Sequence, residues 1–299
     1  MSTIRAYKFV EKIGMDGNSE IMLYTDKKTK QKHFIKQINM SVVSDVERLG
    51  VIIESYLLKH LLHPNVICSP GSFYHGNNYS TVTDYTDSDL YSVIQARTIS
   101  KDPFTELEVM YYFVQILFAL SYIHEQKITH GNICSQSVNL NKFQSNEGQK
   151  YKYQVKLDRF QMAQIFSPQK MADPIVELSI AEDFRVLKHK LMTGEQKEKM
   201  QMEFKLKAKE DIMALGKLLC DMCTLQTEQL DKPHIDTKWF SQGLSDLIDE
   251  MTQPPFIPSA KELLELPFVK DWMAILVQKK MIDKEQLETN ENEQTQKQD

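Results

Sequence analysis

Ile128-Thr-His-Gly-Asn-Ile-Cys-Ser-Gln-Ser-Val-Asn-Leu140 is the stretch on which the fold turns. Ile128, Ile133, Val138 and Leu140 form an apolar frame, and His130, Asn132, Cys134 and Ser137 stand polar between them. It reads as a loop, and its neighbours place it. Upstream, Thr105-x-x-Glu108 is a capping box that opens a long apolar helix running to residue 124. Tyr111, Tyr112, Phe113 and Phe118 belong to the packing of that helix rather than to a cofactor site. Downstream, residues 153–157 are strand-like, and helices are expected at 211–225, 244–251 and 260–264.

Before the loop the pattern differs. Residues 7–14, 20–26, 32–39, 68–75 and 79–85 are runs of β-formers, most of them separated by glycine or lysine-rich turns. Residues 44–62 have helical periodicity, with Val46, Leu49, Ile52, Ile53, Tyr56, Leu57 and Leu61 on one broad face. His63-Pro-Asn65 ends it, because proline disfavours helix in the residue before it. A small β-rich part with one helix followed by a larger helical part gives an α+β, two-lobed fold with a cleft.

The 299 residues are 41% hydrophobic and 26% charged, with a formal net charge of -5. No global field therefore favours nucleic acid or an anionic membrane as partner. No run reaches the ~18 apolar residues of a membrane span, and the first seven residues lack a secretory core. Cys68, Cys134, Cys220 and Cys223 suggest no disulfide framework, so a reducing, cytoplasmic location is the expectation. The Cys220-x-x-Cys223 spacing puts both thiols on one buried helix face, which is read as packing rather than redox or metal chemistry. Residues 186–209 carry seven lysines and read as a solvated, extended segment. The alternative is a docking surface edged by Met200, Met202, Phe204 and Leu206. Residues 283–299 are almost wholly polar and read as a disordered tail.

Many collinear pieces resemble the eukaryotic protein kinases, and within them the NIMA-related (Nek) kinases. They are Lys12-Ile-Gly14, Phe34-Ile-Lys36, Glu54 nine residues before His63-Pro-Asn65, and Ser88-Asp-Leu-Tyr-Ser-Val-Ile94. The series continues with Leu120-Ser-Tyr-Ile-His124, Lys209 to Gly216, Cys223-Thr-Leu225 and Pro258-Ser-Ala-Lys-Glu-Leu-Leu264. The resemblance covers residues 7–272. It implies a bilobal kinase-like domain with an N-lobe at 1–85, a C-lobe at 86–275 and a tail at 276–299.

The resemblance also assigns roles. Lys36 matches the lysine that holds nucleotide phosphates and Glu54 the helix glutamate that pairs with it. Gly14, Ile21, Phe34 and Asp84 would line the same vestigial site. The remaining positions depart from the family. Asn132 replaces the catalytic aspartate, and an amide lacks the basicity to accept a hydroxyl proton. Cys134 stands for a lysine at the transferred phosphate, Ser137 for an asparagine that holds magnesium, and Arg159 for the aspartate of Asp-Phe-Gly. A one-residue shift would offer Asp158 instead, at the cost of moving Phe160 out of its packing position. Gly14 is the only retained glycine of three in the phosphate loop, and Asp16 there aims a negative charge at the phosphates. Phe34, where the family carries alanine, is expected to fill part of the adenine space and complete the interlobe core, with Asn139 replacing an apolar floor. Gly131 replaces the arginine that reads a phosphorylated activation loop, and Ile257 the arginine that pairs with the end of that segment.

These departures imply a catalytically inactive homologue, a scaffold or allosteric regulator of a protein partner such as an active kinase. No cofactor is expected under that reading, neither ATP nor magnesium. The alternatives are a weak or atypical serine/threonine kinase or magnesium-independent nucleotide binder, with Arg159 as counter-charge, and a structural component of a larger assembly.

Overall fold

The computed structural model describes residues 4–143, 152–167, 194–225, 238–253 and 255–282. Five antiparallel strands form the N-terminal sheet: β1 (Tyr7–Asp16), β2 (Ser19–Asp26), β3 (Lys32–Asn39), β4 (Gly71–His75) and β5 (Asn78–Asp84). Their order is β1-β2-β3-β5-β4. The β1–β2 hairpin turns through two residues, where Gly17 takes a φ of 56° that its missing Cβ permits. The register sets Gly14 opposite Ile21, Ile21 opposite Lys36, and Lys36 opposite Thr81. Because side chains alternate faces with period two, Asp16 and Phe34 share the face that carries Lys36. One sheet face is thus the roof of the cleft.

Helix α1 (Asp45–His60) begins at a complete capping box made by Ser44 and Glu47. It buries Val51, Ile52, Glu54, Leu57 and Leu58. The segment before β4 is expected as strand from residue 68, but strand begins only at Gly71. Its backbone is used otherwise. Ile67 N–H donates to the Leu157 carbonyl and Ser69 N–H to that of Leu58, tying the sheet to α1 and to the C-terminal part.

The C-terminal part is built around α3 (Glu106–Glu125), opened by the expected Thr105–Glu108 capping box. It is preceded by β6 (Ser88–Asp89) and by α2 (Leu90–Ser100), capped by Asp89. Helix α3 buries residues on every side, Phe113, Phe118 and Tyr112 among them, as a helix apolar all round must. By length and composition it is the one described helix long enough to cross a membrane, which the sequence reading passed over; here it is core. Short strands β7 (Ile128–Thr129), β8 (Val138–Phe143), β9 (Lys152–Leu157) and β10 (Gln164–Ile165) frame the loop quoted above.

Helix α4 (Gly194–Thr224) is much longer than the 211–225 expectation. The lysine-rich stretch is helical from residue 194, not extended. Its Lys, Glu, Gln and Met residues are good helix formers, and Lys207 pairs with Glu210 one turn on at 2.8 Å. Phe204 is its buried anchor, edge-on to Phe166 and His124 with the Lys127 ammonium over its ring, while Met202 and Leu206 face solvent. Cys220 is buried and Cys223 half-buried on the same helix, both free thiols. Burial pushes both thiols up, Cys220 to about 11, so packing is their role.

Helices α5 (Gln242–Thr252), α6 (Ala260–Glu265) and α7 (Pro267–Gln278) complete the bundle. Ile257 is buried in the same core as these helices, so an apolar contact replaces the ion pair of the family pattern. Leu276 and Ile282 are buried as well, so packed chain runs past the expected boundary at 275. Residues 283–299, and the candidate end of the activation segment at 173–182, lie outside the described residues.

Candidate functional site

The loop at 128–140 hangs from one buried acid. Asp211, on α4, accepts the backbone N–H groups of His130 and Gly131, each at 2.8 Å, and faces His124 Nε2 at 3.0 Å. Burial alone would push this carboxyl up, but the His124 bond and the backbone donors hold it below the usual carboxylate range. His130 is fully buried. Its Nδ1 accepts Asn132 N–H at 3.2 Å and its Nε2 donates to the Asp158 carbonyl at 2.8 Å, which assigns the neutral Nε2–H tautomer. Phe160 lies edge-on to His130 with centroids 4.6 Å apart. That is the packing position the Arg159 alignment requires of it.

Two glycines close this layer from either side. Gly131 has a φ of 73°, and a Cβ there would lie 2.6 Å from the Met162 carbonyl oxygen. A Cβ on Gly50 of α1 would lie 2.7 Å from the Gln161 carbonyl oxygen. The turn Phe160–Met162 is therefore held between α1 and the loop at backbone contact distance.

Above it the charges converge. Lys36 Nζ lies 3.2 Å from Glu54 Oε2 and 2.9 Å from Asp16 Oδ2. Arg159 Nη1 is 3.4 Å from Asp16 Oδ1, and Gln161 Nε2 donates to Asp16 Oδ2 at 3.2 Å. Burial pushes the Glu54 carboxyl up to about 7, against the pull of Lys36. Burial pulls Lys36 down, yet Glu54 and Asp16 outweigh it and raise the ammonium above its ordinary value. Burial likewise works on Asp16, where Lys36 and Arg159 prevail and keep the carboxyl low. Lys36 and Asp16 are therefore both charged at neutral pH.

In the sequence, Asp16 and Arg159 stand as two separate kinds of damage. In the fold they pair. No sequence signal joins residues so far apart, so this was not legible beforehand.

Asp158 is a further carboxylate of the cleft. It accepts Asn139 Nδ2 at 2.9 Å and Arg159 N–H at 2.8 Å, and its charge raises the pKa of both Lys36 and Glu54. Asn139 thus makes a polar floor with Asp158. Ser137 is fully buried, its hydroxyl donating to the Cys134 carbonyl at 2.9 Å and accepting Cys134 N–H, so it is turned away from the cleft. Cys134 and Asn132 are half-buried beside it. Phe34 is also half-buried, tilted against Tyr85 with centroids 5.2 Å apart. The expectation that it completes the interlobe core fails: its ring rests at the cleft margin on Tyr85 and is absent from the buried clusters. Ile21 bridges Gly14 and Lys36 in the roof, and Asp84 lies 3.7 Å from Lys156 of β9.

For a nucleotide, Lys36 and Arg159 present two cations on one anion position, which the Asp16 carboxylate fills in this structure, with Glu54 and Asp158 close by. For magnesium the donor set rests on Asp158, because Ser137 is turned inward and Arg159 is itself a cation.

The family model for the protein kinase domain matches residues 7–269. Among curated relatives, a probable serine/threonine-protein kinase nek3 of Dictyostelium discoideum is 27% identical over 285 residues, covering 90% of this chain and 24% of that protein. The serine/threonine-protein kinase Nek5 of Mus musculus is 26% identical over 284 residues, covering 90% of this chain and 41% of that protein. The mouse serine/threonine-protein kinase Nek1 is 33% identical over 137 residues, 46% of this chain and 11% of that protein. The chain spans less than half the length of each.

These findings correct two expectations. The expectation of a non-enzyme is overturned, because the domain model is that of a kinase and the relatives are named serine/threonine-protein kinases. The expectation of no cofactor falls with it, because ATP and magnesium are what a protein kinase domain implies.

Proposed function

Because this chain belongs to the protein kinase family, we propose that it is an atypical serine/threonine kinase that transfers phosphoryl groups slowly from a nucleoside triphosphate. The observation that carries the reading is Lys36, held 3.2 Å from Glu54 and facing the same anion position as Arg159. Phosphoryl transfer passes through a loose transition state, so catalysis is mostly positioning and neutralisation of charge on the phosphate oxygens. Both cations serve that end. Lys36 orients the phosphates, and Arg159 adds a fixed counter-charge where the family pattern has an acid.

Asn132 can accept a hydrogen bond from an acceptor hydroxyl and orient it, but it cannot take the proton. A positioned base contributes about 10²–10⁴-fold, so its absence slows the reaction rather than abolishing it. Magnesium, when bound, supplies further neutralisation of phosphate charge, and Asp158 is the residue that would hold it. Asp158 is itself placed by His130 through its carbonyl and by Asn139 through its carboxylate.

The test is transfer of labelled γ-phosphate to serine- and threonine-containing peptides, with and without magnesium. The expected result is slow transfer that Lys36→Met abolishes and Asn132→Asp accelerates by about 10²–10⁴-fold. Transfer no faster than that of Lys36→Met at any nucleotide concentration would sink the reading. Transfer that persists without magnesium would assign the counter-charge to Arg159 alone.

A further inference from the structure

We infer that Asp16 is a resident anion of the phosphate subsite, a built-in competitor that the nucleotide's phosphates must displace. The inference rests on the nucleotide reading above and names how that same site is regulated. Lys36 and Arg159 come from different lobes, yet both reach the Asp16 carboxylate, at 2.9 and 3.4 Å. Gln161 Nε2 adds a third donor at 3.2 Å. A carboxylate with two cations and an amide around it has the environment of a bound phosphate oxygen.

The hairpin is built to hold Asp16 there. The two-residue turn at Gly17 and Asn18 makes β1 and β2 end at the Asp16–Ser19 pair, which puts Asp16 on the cleft face, two residues beyond Gly14. The tip is tied down outside the cleft as well. Asn18 Nδ2 donates to Glu47 Oε1 at 2.8 Å, and the other oxygen of Glu47 caps α1 at Ser44. The loop that would cover phosphates is thereby closed onto α1 and onto the Phe160–Met162 turn through a side chain of its own. The contact also offsets two charges that would otherwise stand against each other, since Lys36 and Arg159 without an anion between them repel.

The ligand class follows from the geometry. It is a phosphate-bearing ligand, because both cations must be met by anionic oxygens once Asp16 leaves, and the nucleotide reading makes that ligand a polyphosphate. A bound nucleotide frees the hairpin tip, and loss of the Asp16 charge leaves the site open to phosphate.

The experiment is calorimetric titration of ATP in EDTA, and of inorganic tripolyphosphate in EDTA. It uses the whole chain as wild type, Asp16→Asn and Asp16→Asn with Arg159→Gln. Melting curves accompany each variant to show that it is folded. Charge-assisted hydrogen bonds are the strong ones, so Asp16→Asn should tighten both ligands by roughly tenfold or more, and Arg159→Gln should reverse the gain. Equal, measurable ATP affinities for wild type and Asp16→Asn would overturn the resident-anion inference and leave the nucleotide reading standing. Tightening for tripolyphosphate with no ATP binding by any variant would keep the inference and defeat the nucleotide reading. Absence of binding by either ligand to every variant would overturn both.

Discussion

Asp211 and Glu54 are buried to nearly the same degree, 1% and 2% exposed, yet their surroundings move them in opposite directions. Asp211 is met by two backbone N–H groups and a histidine, donors fixed in place by α3 and by the loop it anchors. Glu54 is met by one ammonium at the end of a flexible stem, and that ammonium is shared with Asp16. The first acid is a permanent part of the scaffold. The second is only half satisfied, as suits a group whose partner must also serve a ligand. The lesson is that burial alone does not set the role of a carboxylate; the rigidity of its donors does.

The largest effect should come from Asp211→Ala. Two buried donors, from His124 and His130, and the part-buried Gly131 N–H would lose their acceptor, and each stranded buried donor costs about 1–3 kcal/mol. Urea unfolding should show a loss of at least ~3 kcal/mol, seen as a lower midpoint at unchanged slope. A loss below ~1 kcal/mol would break the contrast with Glu54, because it would mean that the donors find other acceptors.

Gly131→Ala should come next. The backbone there is left-handed, which costs a residue bearing a Cβ about 1–2 kcal/mol, and the added methyl meets the Met162 carbonyl oxygen at 2.6 Å. The same urea unfolding of Gly14→Ala, where a Cβ would meet nothing within 4 Å, is the control.

Lys36→Met should cost less than Asp211→Ala, on the order of 1 kcal/mol near pH 6. Glu54 can escape an unpaired buried charge by taking up a proton, because burial already puts its carboxyl near 7. The cost should grow toward pH 8, because the variant, without the pull of Lys36, must keep a proton on Glu54 that the wild type releases near 7. A cost that ignores pH would show Glu54 to be charged throughout and would erase the difference between the two acids.

The last effect is a slope. The folded protein keeps a proton on Glu54 that the unfolded chain releases near 4.5, so the group's contribution to stability is fully present below 4.5 and is lost as pH rises through about 7. Stability curves of wild type and Glu54→Gln should therefore diverge across that window and run parallel outside it. Parallel curves throughout would place the Glu54 pKa near its ordinary value.

How much of this was legible in the sequence depended on the range of the interaction. The capping box at Thr105 and the first three strands are written within a few neighbouring residues and fold as they read, whereas β4 begins only at Gly71, and Val46 and Leu49 of the expected α1 face are exposed. The helical start at Gly194 was missed because lysine-rich composition was taken for solvation, although its Lys, Glu, Met and Gln residues favour helix. The helix that carries Asp211 and the loop after α3 followed from the pattern of neighbouring residues. The pairing of Asp16 with Arg159, the polar floor of Asn139 and Asp158, and the resting place of Phe34 on Tyr85 did not. Each depends on which side chains the sheet register and the loop bring together across the cleft. Reading Asp16 and Arg159 one at a time made a neutralised pair look like two losses, which were added to the departures at Asn132, Cys134, Ser137 and Phe34 on which the inference of inactivity rested.

The most direct measurement is the melting temperature of the wild-type chain with and without saturating ATP, each with and without magnesium. A ligand at ~100 times its dissociation constant adds about 2.7 kcal/mol, which raises the melting temperature of a domain this size by several degrees. A rise with ATP that Lys36→Met removes is the expected result, and its size with magnesium against EDTA reports how far Asp158 contributes. Identical melting curves in all four conditions would contradict a nucleotide site between the lobes.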